Sequence, residues 1–393
     1  MNGNRRLMIL LLGFVIFIFC VLTLYTESPH GRCWAQDKGQ GLVPPGASYD
    51  VVPLKFDEIR VASIQMNPTP VDPKDPRKGI QQNLEHMLSL CDAAVMWPPD
   101  PRGVQLMVFP EFTLTGFNTL WTREDWMKIA IIVPGPETDR IGQKAKELGS
   151  HIVLSTHTRD VSWPGHFFNT SLIISPEGKV IHTHWKAYGV PGWLEYSTTV
   201  HDVLDEFVKR YGWEAVWPVA KTDIGNIATF VCAEGFAPET ARAFAMNGAE
   251  ILVRCIANEG GRSEIPEVSD QRLRMRSDCA ASHLYGIYTN SQGGSILING
   301  KHTAENCGGG GSMIVDPYGR VLNEANDSLE QIVHAIIPIK AFRSLHRTPS
   351  LRTELYVPVL EQHPGRFPPN LYSDYLPADL LDARQWALKH ARW

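Results

Sequence analysis

The stretch 225–254 predicts a strand, a helix and a second strand in close succession. Ile227 to Val231 is an apolar run rich in β-branched and aromatic residues, as expected of a buried strand. Pro238 suits the first turn of a helix, and Asn247–Gly248 suits its C-terminal end. A second apolar run, Ile251 to Val253, follows directly. This order of elements is typical of an α/β sheet.

Cys232 comes directly after the first of these strands, before the turn that leads into the helix. Ligands of α/β sheets bind at the carboxyl ends of strands, so a thiol placed there is a candidate nucleophile. By itself, Cys232 is equally consistent with a buried structural cysteine, because free cysteine packs as a small apolar residue. Its interpretation therefore depends on which other side chains occupy comparable positions.

Two charged residues also follow predicted strands. Val104 to Phe109 is an apolar run that ends in Pro110–Glu111, and Val180 to Trp185 is followed by Lys186. Should these side chains meet Cys232, the carboxylate can take the thiol proton, and the ammonium can stabilise both a thiolate and a developing oxyanion. Taken alone, Glu111 also suits a surface glutamate, and spacing in the sequence does not establish that the three side chains meet.

The alternation of strands and helices defines one domain, predicted over residues 58–340. Two similar hairpins, SPEGKV at 175–180 and VDPYGRV at 315–321, favour two layered sheets over a single open sheet. The glycine run 308–311 lacks the Lys-Ser/Thr of a phosphate loop and is interpreted as a close-packed or flexible loop. Residues 341–393 form a tail that is expected to pack on the domain or on a partner subunit.

The N-terminus differs from the rest of the chain. Arg5 and Arg6 precede an uncharged, mostly aliphatic and aromatic run from Leu7 to Tyr25, about the length of a membrane span. We therefore expect residues 1–26 to form a membrane anchor or signal segment, and residues 27–57 a linker. Basic residues before the span predict a cytoplasmic N-terminus. The domain would then be extracytoplasmic, either anchored by a single helix or secreted if the segment is cleaved.

Composition excludes several classes of function. The net charge of −5 provides no basic surface for nucleic acid. The seven cysteines have neither zinc-ligand spacing nor the pattern of a disulfide framework, and the fourteen histidines form no ligand motif. We expect no metal and no organic cofactor.

Five segments, in order, resemble the nitrilase superfamily, the carbon–nitrogen hydrolases, over about residues 59–339. They are VASIQM, VFPEFTLTGF, FFNTSLIISPEGKVIHTHWK, FVCAEGFAPE and GSMIVDPYGRV. The resemblance implies an α/β fold of the αββα four-layer sandwich type. It also implies a homo-oligomer, a dimer or a larger assembly, paired across the helices that follow the nucleophile.

The same resemblance implies the site. It matches the general-base glutamate at Glu111, the catalytic lysine at Lys186 and the nucleophile at Cys232, with the backbone N–H of Ala233 as an oxyanion donor. A second supporting glutamate follows the lysine in many members; Glu195 matches it best and Glu206 less well. Apart from the resemblance, Tyr188 and Trp193 are candidate substrate-binding residues because they lie near Lys186 in the sequence, although they are equally consistent with ordinary core or interface aromatics. Glu234 is a further candidate.

The segment MNGAEILVRC resembles the aliphatic amidases and formamidases. Nitrilases usually have Cys-Trp-Glu at the nucleophile, whereas this chain has Ala233 in place of the tryptophan. The resemblance thus implies hydrolysis of a small-molecule carboxamide to acid and ammonia, or amine, through a cysteine thioester. Three alternatives remain: a nitrilase, a membrane-associated N-acyltransferase using the same thioester, and a membrane-tethered interaction protein without activity.

Overall fold

A computed structural model describes residues 47–97, 99–257, 270–291, 296–298, 301–302 and 309–393. The predicted anchor and most of the predicted linker lie outside these residues, so both stay predictions. Among the residues that are described, no helix is both long enough and apolar enough to cross a membrane.

Sixteen strands are defined in this part of the chain. They are β1 (Ile59–Gln65), β2 (Leu106–Val108), β3 (Phe117–Asn118), β4 (Ile131–Ile132), β5 (His151–Arg159), β6 (Phe168–Ile174), β7 (Val180–Trp185), β8 (Ala220–Thr222), β9 (Gly225–Val231), β10 (Ile251–Ile256), β11 (Tyr285–Asn290), β12 (Ile296–Ile298), β13 (Lys301–His302), β14 (Met313–Val315), β15 (Val321–Glu324) and β16 (Gln331–Ile337).

Nine α-helices are defined in the same described ranges. They are α1 (Pro76–Met96), α2 (Arg123–Ile129), α3 (Pro136–Leu148), α4 (Leu204–Tyr211), α5 (Pro238–Met246), α6 (Asp270–Ser282), α7 (Ile339–Leu345), α8 (Thr353–Gln362) and α9 (Leu380–His390).

Two large sheets form the centre of the fold. The first has the order β16-β1-β2-β5-β6-β7, with β4 also paired to β5, and the second has the order β15-β14-β11-β10-β9-β8. In each sheet the central pairs, β1-β2-β5 and β9-β10-β11, are parallel, and the short β4 also pairs with β5 in parallel. The other pairs in the two strand orders are antiparallel. The carboxyl ends of the parallel strands therefore lie together at one edge of each sheet.

The sheets stack face to face with helices on both outer faces. Ile59 and Val61 of β1 pack with Ile251 and Val253 of β10 between the two sheets, because alternate side chains of a strand point to opposite faces. The other face of the first sheet packs on α1 and α3, and that of the second sheet packs on α5 and α6. The predicted αββα arrangement is confirmed.

The two similar hairpins occupy equivalent places in the two sheets. Turns 175–179 and 316–320 are closed by N–H···O distances of 2.8 and 2.9 Å between their first and last residues. Gly178 and Gly319 have φ values of 80° and 77°, a region that side chains disfavour. The repeated motif thus connects the outermost strand of each sheet, β7 or β15, to its neighbour.

Both ends of the described chain pack on this sandwich. Tyr49 donates a hydrogen bond of 2.8 Å to the buried Glu250, and Phe56 packs on the core between the sheets. Residues 47–57, part of the predicted linker, thus belong to the same compact unit as the sandwich. At the other end, Arg343 of α7 donates to both carboxylate oxygens of Glu250 at 2.7 Å. The predicted tail belongs to the same compact body.

Candidate active site

Glu111, Lys186 and Cys232 meet in space although they follow three different strands. Glu111 lies beyond the end of β2 and Lys186 follows β7 in the first sheet, whereas Cys232 follows β9 in the second. Lys186 Nζ lies 3.3 Å from Glu111 Oε1, and the Cys232 thiol is near enough to both side chains for their charges to act on its pKa. All three line one cavity of about 490 Å³.

Glu195 is the second glutamate at this site. Lys186 Nζ donates to Glu195 Oε2 at 2.6 Å. The alternative, Glu206, lies on α4 and pairs on the surface with Arg210 at 2.7 Å, so it is not part of the cavity. The loop between β7 and α4 therefore delivers Glu195, and not Glu206, to the lysine.

Asn169 and His157 also belong to this cluster, although the sequence did not single them out as site residues. Asn169 Nδ2 donates to Glu111 Oε1 at 2.7 Å and to Glu195 Oε1 at 2.9 Å, so one amide joins the two carboxylates. His157 Nε2 lies 3.1 Å from Glu195 Oε1, and its ring stacks on Phe112 at a centroid distance of 5.0 Å. Both residues lie on buried strands, where a polar side chain must be hydrogen-bonded. This was the available signal, but the neighbouring Ser and Thr residues of the same strands share it.

Counting hydrogen bonds shows which carboxylate lone pairs remain available. A carboxylate has about four acceptor sites, two on each oxygen. Glu195 Oε1 accepts from Asn169, His157 and Ser197, whereas Oε2 accepts from Lys186 alone. Glu111 Oε1 accepts from Asn169 and Lys186, whereas Oε2 accepts from the backbone N–H of Ala257 at 2.9 Å. Among these contacts, Oε2 of each glutamate accepts a single hydrogen bond and so has room for a second.

Burial and charge set the protonation of the cluster. Burial raises the pKa of Glu111, while the ammonium of Lys186 opposes the rise. Burial alone would lower the pKa of Lys186, but the charges of Glu195 and Glu111 outweigh it, and the pKa stands well above its usual value. Burial and the nearby charge of Glu111 raise the pKa of the Cys232 thiol, so the resting sulfur keeps its proton until a base accepts it.

Cys232 is held in an unusual backbone conformation. Its φ is 49°, in the left-handed region, which costs about 1–3 kcal/mol for a residue other than glycine. The fully buried guanidinium of Arg254 donates to the carbonyl of Cys232 from Nε at 3.1 Å and from Nη2 at 2.6 Å. A Cβ on Gly235 would lie 2.3 Å from Arg254 Cζ, so only glycine fits in this turn. Arg254 thus stabilises the conformation that presents the thiol.

Glu234 was predicted to bind substrate, and that prediction is wrong. Its carboxylate is fully buried and is not part of the cavity wall. It accepts hydrogen bonds from the backbone N–H of Ala187 at 2.8 Å and of Val231 at 2.6 Å, and it contacts His184. The turn after the nucleophile points this side chain into the protein. Glu234 therefore joins the segment that carries the lysine to the segment that carries the thiol.

The other predicted residues do line the cavity. Ala233 lies beside Cys232 at its inner end. Tyr188 is in the wall, with its hydroxyl donating to the carbonyl of Glu234 at 2.5 Å, and burial raises its pKa to about 12. Trp193 is at the rim, about half exposed. Within the described residues, no group of three or more His, Cys, Asp or Glu side chains could hold a metal ion.

The chain belongs to the carbon–nitrogen hydrolase family, whose model matches residues 60–347. The predicted membership of the nitrilase superfamily, near amidases and formamidases, is thereby confirmed. A formamidase from Bacillus thuringiensis (strain Al Hakam) is 30% identical over 230 residues, which cover 57% of this chain and 60% of the formamidase. A formamidase from Bacillus cereus (strain Q1) is 30% identical over 239 residues, covering 59% and 62%. The chain thus spans about three fifths of the length of these relatives.

Solved structures share the fold. A carbon–nitrogen hydrolase from Helicobacter pylori G27 superposes with a TM-score of 0.58 at 18% identity, covering 78% of this chain and 99% of the other. An amidase from Nesterenkonia sp. superposes with a TM-score of 0.54 at 19% identity, covering 82% and 100%. At these identities the likeness concerns the fold.

Proposed function

We propose that the protein hydrolyses a carboxamide to a carboxylic acid and ammonia through a thioester on Cys232. The observation that carries the proposal is the meeting of a thiol, a buried carboxylate and a buried ammonium at the inner end of one cavity. Each group suits one step of amide hydrolysis, and together they need no further reactant except water.

In the first half-reaction, Cys232 Sγ attacks the carbonyl carbon while its proton passes to Glu111 Oε2, which has a lone pair available. Two of the three Nζ–H bonds of Lys186 are directed at Glu195 and Glu111, which leaves one for the developing oxyanion. The backbone N–H of Ala233 is a second donor, and one such donor is typically worth about 3–4 kcal/mol in the transition state. Glu111 then protonates the amide nitrogen, the C–N bond breaks, and ammonia leaves.

In the second half-reaction, water attacks the thioester carbonyl carbon and gives a proton to Glu111. The C–S bond then breaks, the carboxylic acid leaves, and the proton returns to Cys232. Glu195 stays charged because the ammonium of Lys186 outweighs burial and lowers its pKa. We assign to it the positioning of Lys186, and its remaining Oε2 lone pair suits one N–H of the substrate amide.

Two features favour an amide over a nitrile. Ala233 stands where nitrilases usually have tryptophan, and the curated relatives described above are formamidases. Membrane anchoring, an extracytoplasmic location and homo-oligomer formation stay proposals from the sequence.

The test is ammonia release from a panel of primary amides and their matching nitriles. Wild-type protein should release ammonia and acid from an amide, and Cys232→Ala should abolish the release while the protein stays folded. Cys91→Ala, a buried cysteine of α1, is the matched control and should keep activity. Full ammonia release by Cys232→Ala would refute the scheme. Acid formed from a nitrile but not from its amide would instead favour a nitrilase, and diversion of the acyl group to hydroxylamine at the expense of acid would favour an acyltransferase.

A further inference from the structure

The cavity above Cys232 is much larger than a formyl group requires. Its volume of about 490 Å³ is that of roughly sixteen water molecules in the liquid and lies in the range of sites for drug-sized ligands. It extends from the catalytic residues, beneath the segment 188–217, to residues 365–372 of the C-terminal region. The site therefore has room for a substantial group beyond the reacting carbon.

The hydrogen bonds at the inner end indicate which side of the substrate occupies this room. Oε2 of Glu195 has room for one N–H of the substrate amide, and Glu111, once it holds the thiol proton, must donate that proton to the same nitrogen. The amide nitrogen is thus placed between two buried carboxyl groups, and a large substituent on it would separate them from the nitrogen and leave a buried polar group unpaired, which is costly. The free volume therefore belongs to the acyl side.

The wall beyond the catalytic residues is mostly apolar. Aromatic side chains of three segments form much of it, among them Phe112, Phe117, Trp213, Trp217 and Phe367. Three of its polar groups have internal partners: Asp202 accepts from the Thr199 hydroxyl at 2.6 Å, the Tyr196 hydroxyl donates to the carbonyl of Trp121 at 2.8 Å, and Arg366 Nε donates to the carbonyl of Trp393 at 2.9 Å. The Tyr372 hydroxyl is an exception, since it has no hydrogen-bond partner among the described residues. Such a wall favours the binding of an apolar hydrocarbon group of the substrate.

We infer that the preferred substrate is a primary amide with a large apolar acyl group, alkyl or aryl, rather than formamide. This inference rests on the proposed amidase function and adds the substrate class. Each additional buried methylene contributes about 0.8 kcal/mol, which corresponds to a roughly fourfold gain in kcat/KM. Lengthening the acyl chain from formyl to hexanoyl should therefore raise kcat/KM by about two to three orders of magnitude.

The first test is a series of primary amides from formamide to octanamide, with benzamide and phenylacetamide, on the full chain. A rise in kcat/KM with acyl size is expected, with the acyl adduct on Cys232 detected by intact-protein mass spectrometry. The highest kcat/KM with formamide or acetamide would overturn the inference while leaving the proposed amidase function intact. If no amide is hydrolysed and no adduct forms on Cys232, both fail.

The second test fills the cavity. Gly189 lines it, and a Cβ at this position would meet only the Thr199 methyl group, at 4.0 Å, within the same wall. In the series Gly189→Ala, Gly189→Val and Gly189→Leu, the ratio of kcat/KM for hexanamide over acetamide should fall stepwise, by at least about tenfold at leucine. Leu322→Phe adds apolar volume on β15, outside the cavity, and should leave the ratio unchanged.

An unchanged ratio in folded Gly189→Leu would overturn the inference. If that variant does not fold, Gly365→Leu replaces it, because a Cβ on Gly365 comes only within 3.9 Å of the Phe367 carbonyl oxygen. The same fall in the ratio is then expected.

Discussion

Replacing Asn169 by alanine should move the pH dependence of the enzyme as well as reduce its stability. The Asn169 side chain donates to Glu111 Oε1 at 2.7 Å and to Glu195 Oε1 at 2.9 Å, and its own oxygen accepts from the Ser155 hydroxyl at 2.9 Å. Hydrogen bonds to charged groups contribute about 1.5–3 kcal/mol each. Losing two of them should lower the free energy of unfolding by about 3–6 kcal/mol, less where water fills the space.

The direction of the pH effect follows from the same contacts. The donation from Asn169 stabilises the charged form of Glu111 and so lowers its pKa. Without it, the pKa of Glu111 rises further. Because Glu111 must be unprotonated to accept the thiol proton, the acid limb of kcat/KM should move to higher pH in Asn169→Ala.

The measurement is kcat/KM against pH for a good amide, with urea unfolding at neutral pH. Asn226→Ala is the matched control: this buried asparagine donates to the carbonyls of Asp50 at 2.8 Å and Gly248 at 3.0 Å, outside the cavity wall. Its loss should reduce stability and leave the acid limb where it is. An acid limb of Asn169→Ala at the wild-type pH, with activity merely reduced, would refute the reasoning and leave Asn169 a purely structural residue.

Two further predictions concern charged pairs. Glu195→Gln should lower kcat by about 100-fold or more, because the buried ammonium of Lys186 loses its nearer carboxylate and is no longer held in position. Glu206→Gln, on the surface, should leave kcat unchanged. Steady-state kinetics of the two variants checks this, and equal losses of kcat would contradict it. Arg343→Ala should lower the free energy of unfolding by about 3–5 kcal/mol, because it leaves the buried carboxylate of Glu250 without its cation. Lys340→Ala removes an exposed ion pair and should change the free energy of unfolding by less than about 1 kcal/mol. The midpoints of urea unfolding measure both effects, and similar shifts for the two variants would contradict the reasoning.

The sequence predicts those parts of the fold in which local pattern and tertiary structure agree. The run from β9 through Cys232 to α5 and β10 matches its prediction closely, because a buried strand, a proline at the helix start and a glycine after its end are local signals. The paired hairpins likewise come from local turn residues. The αββα layering follows from the family resemblance and the two similar hairpins, whereas the order of the strands within each sheet has no local signal.

The predictions fail where side-chain direction or distant contacts decide. Glu234 adjoins the nucleophile in sequence, yet the turn directs it away from the cavity, and sequence adjacency carries no information on this direction. Asn169 looks like any strand residue until the two glutamates are placed beside it. Residues 365–372 reach the cavity only through tertiary packing, for which their own sequence has no periodic signal.

The position of this C-terminal region has a consequence for how such a protein can diversify. Glu111, Lys186 and Cys232 follow strands of the sandwich, whereas Gly365, Phe367 and their neighbours form part of the outer wall of the cavity. Under the proposed function, this part of the substrate-selecting wall is encoded apart from the reacting residues, whereas the wall segment 188–217 is encoded beside Lys186. We therefore expect insertions, deletions or recombination in the last part of the coding sequence to alter which amide is accepted with less effect on the chemical steps. Libraries aimed at new substrates can be directed at this region.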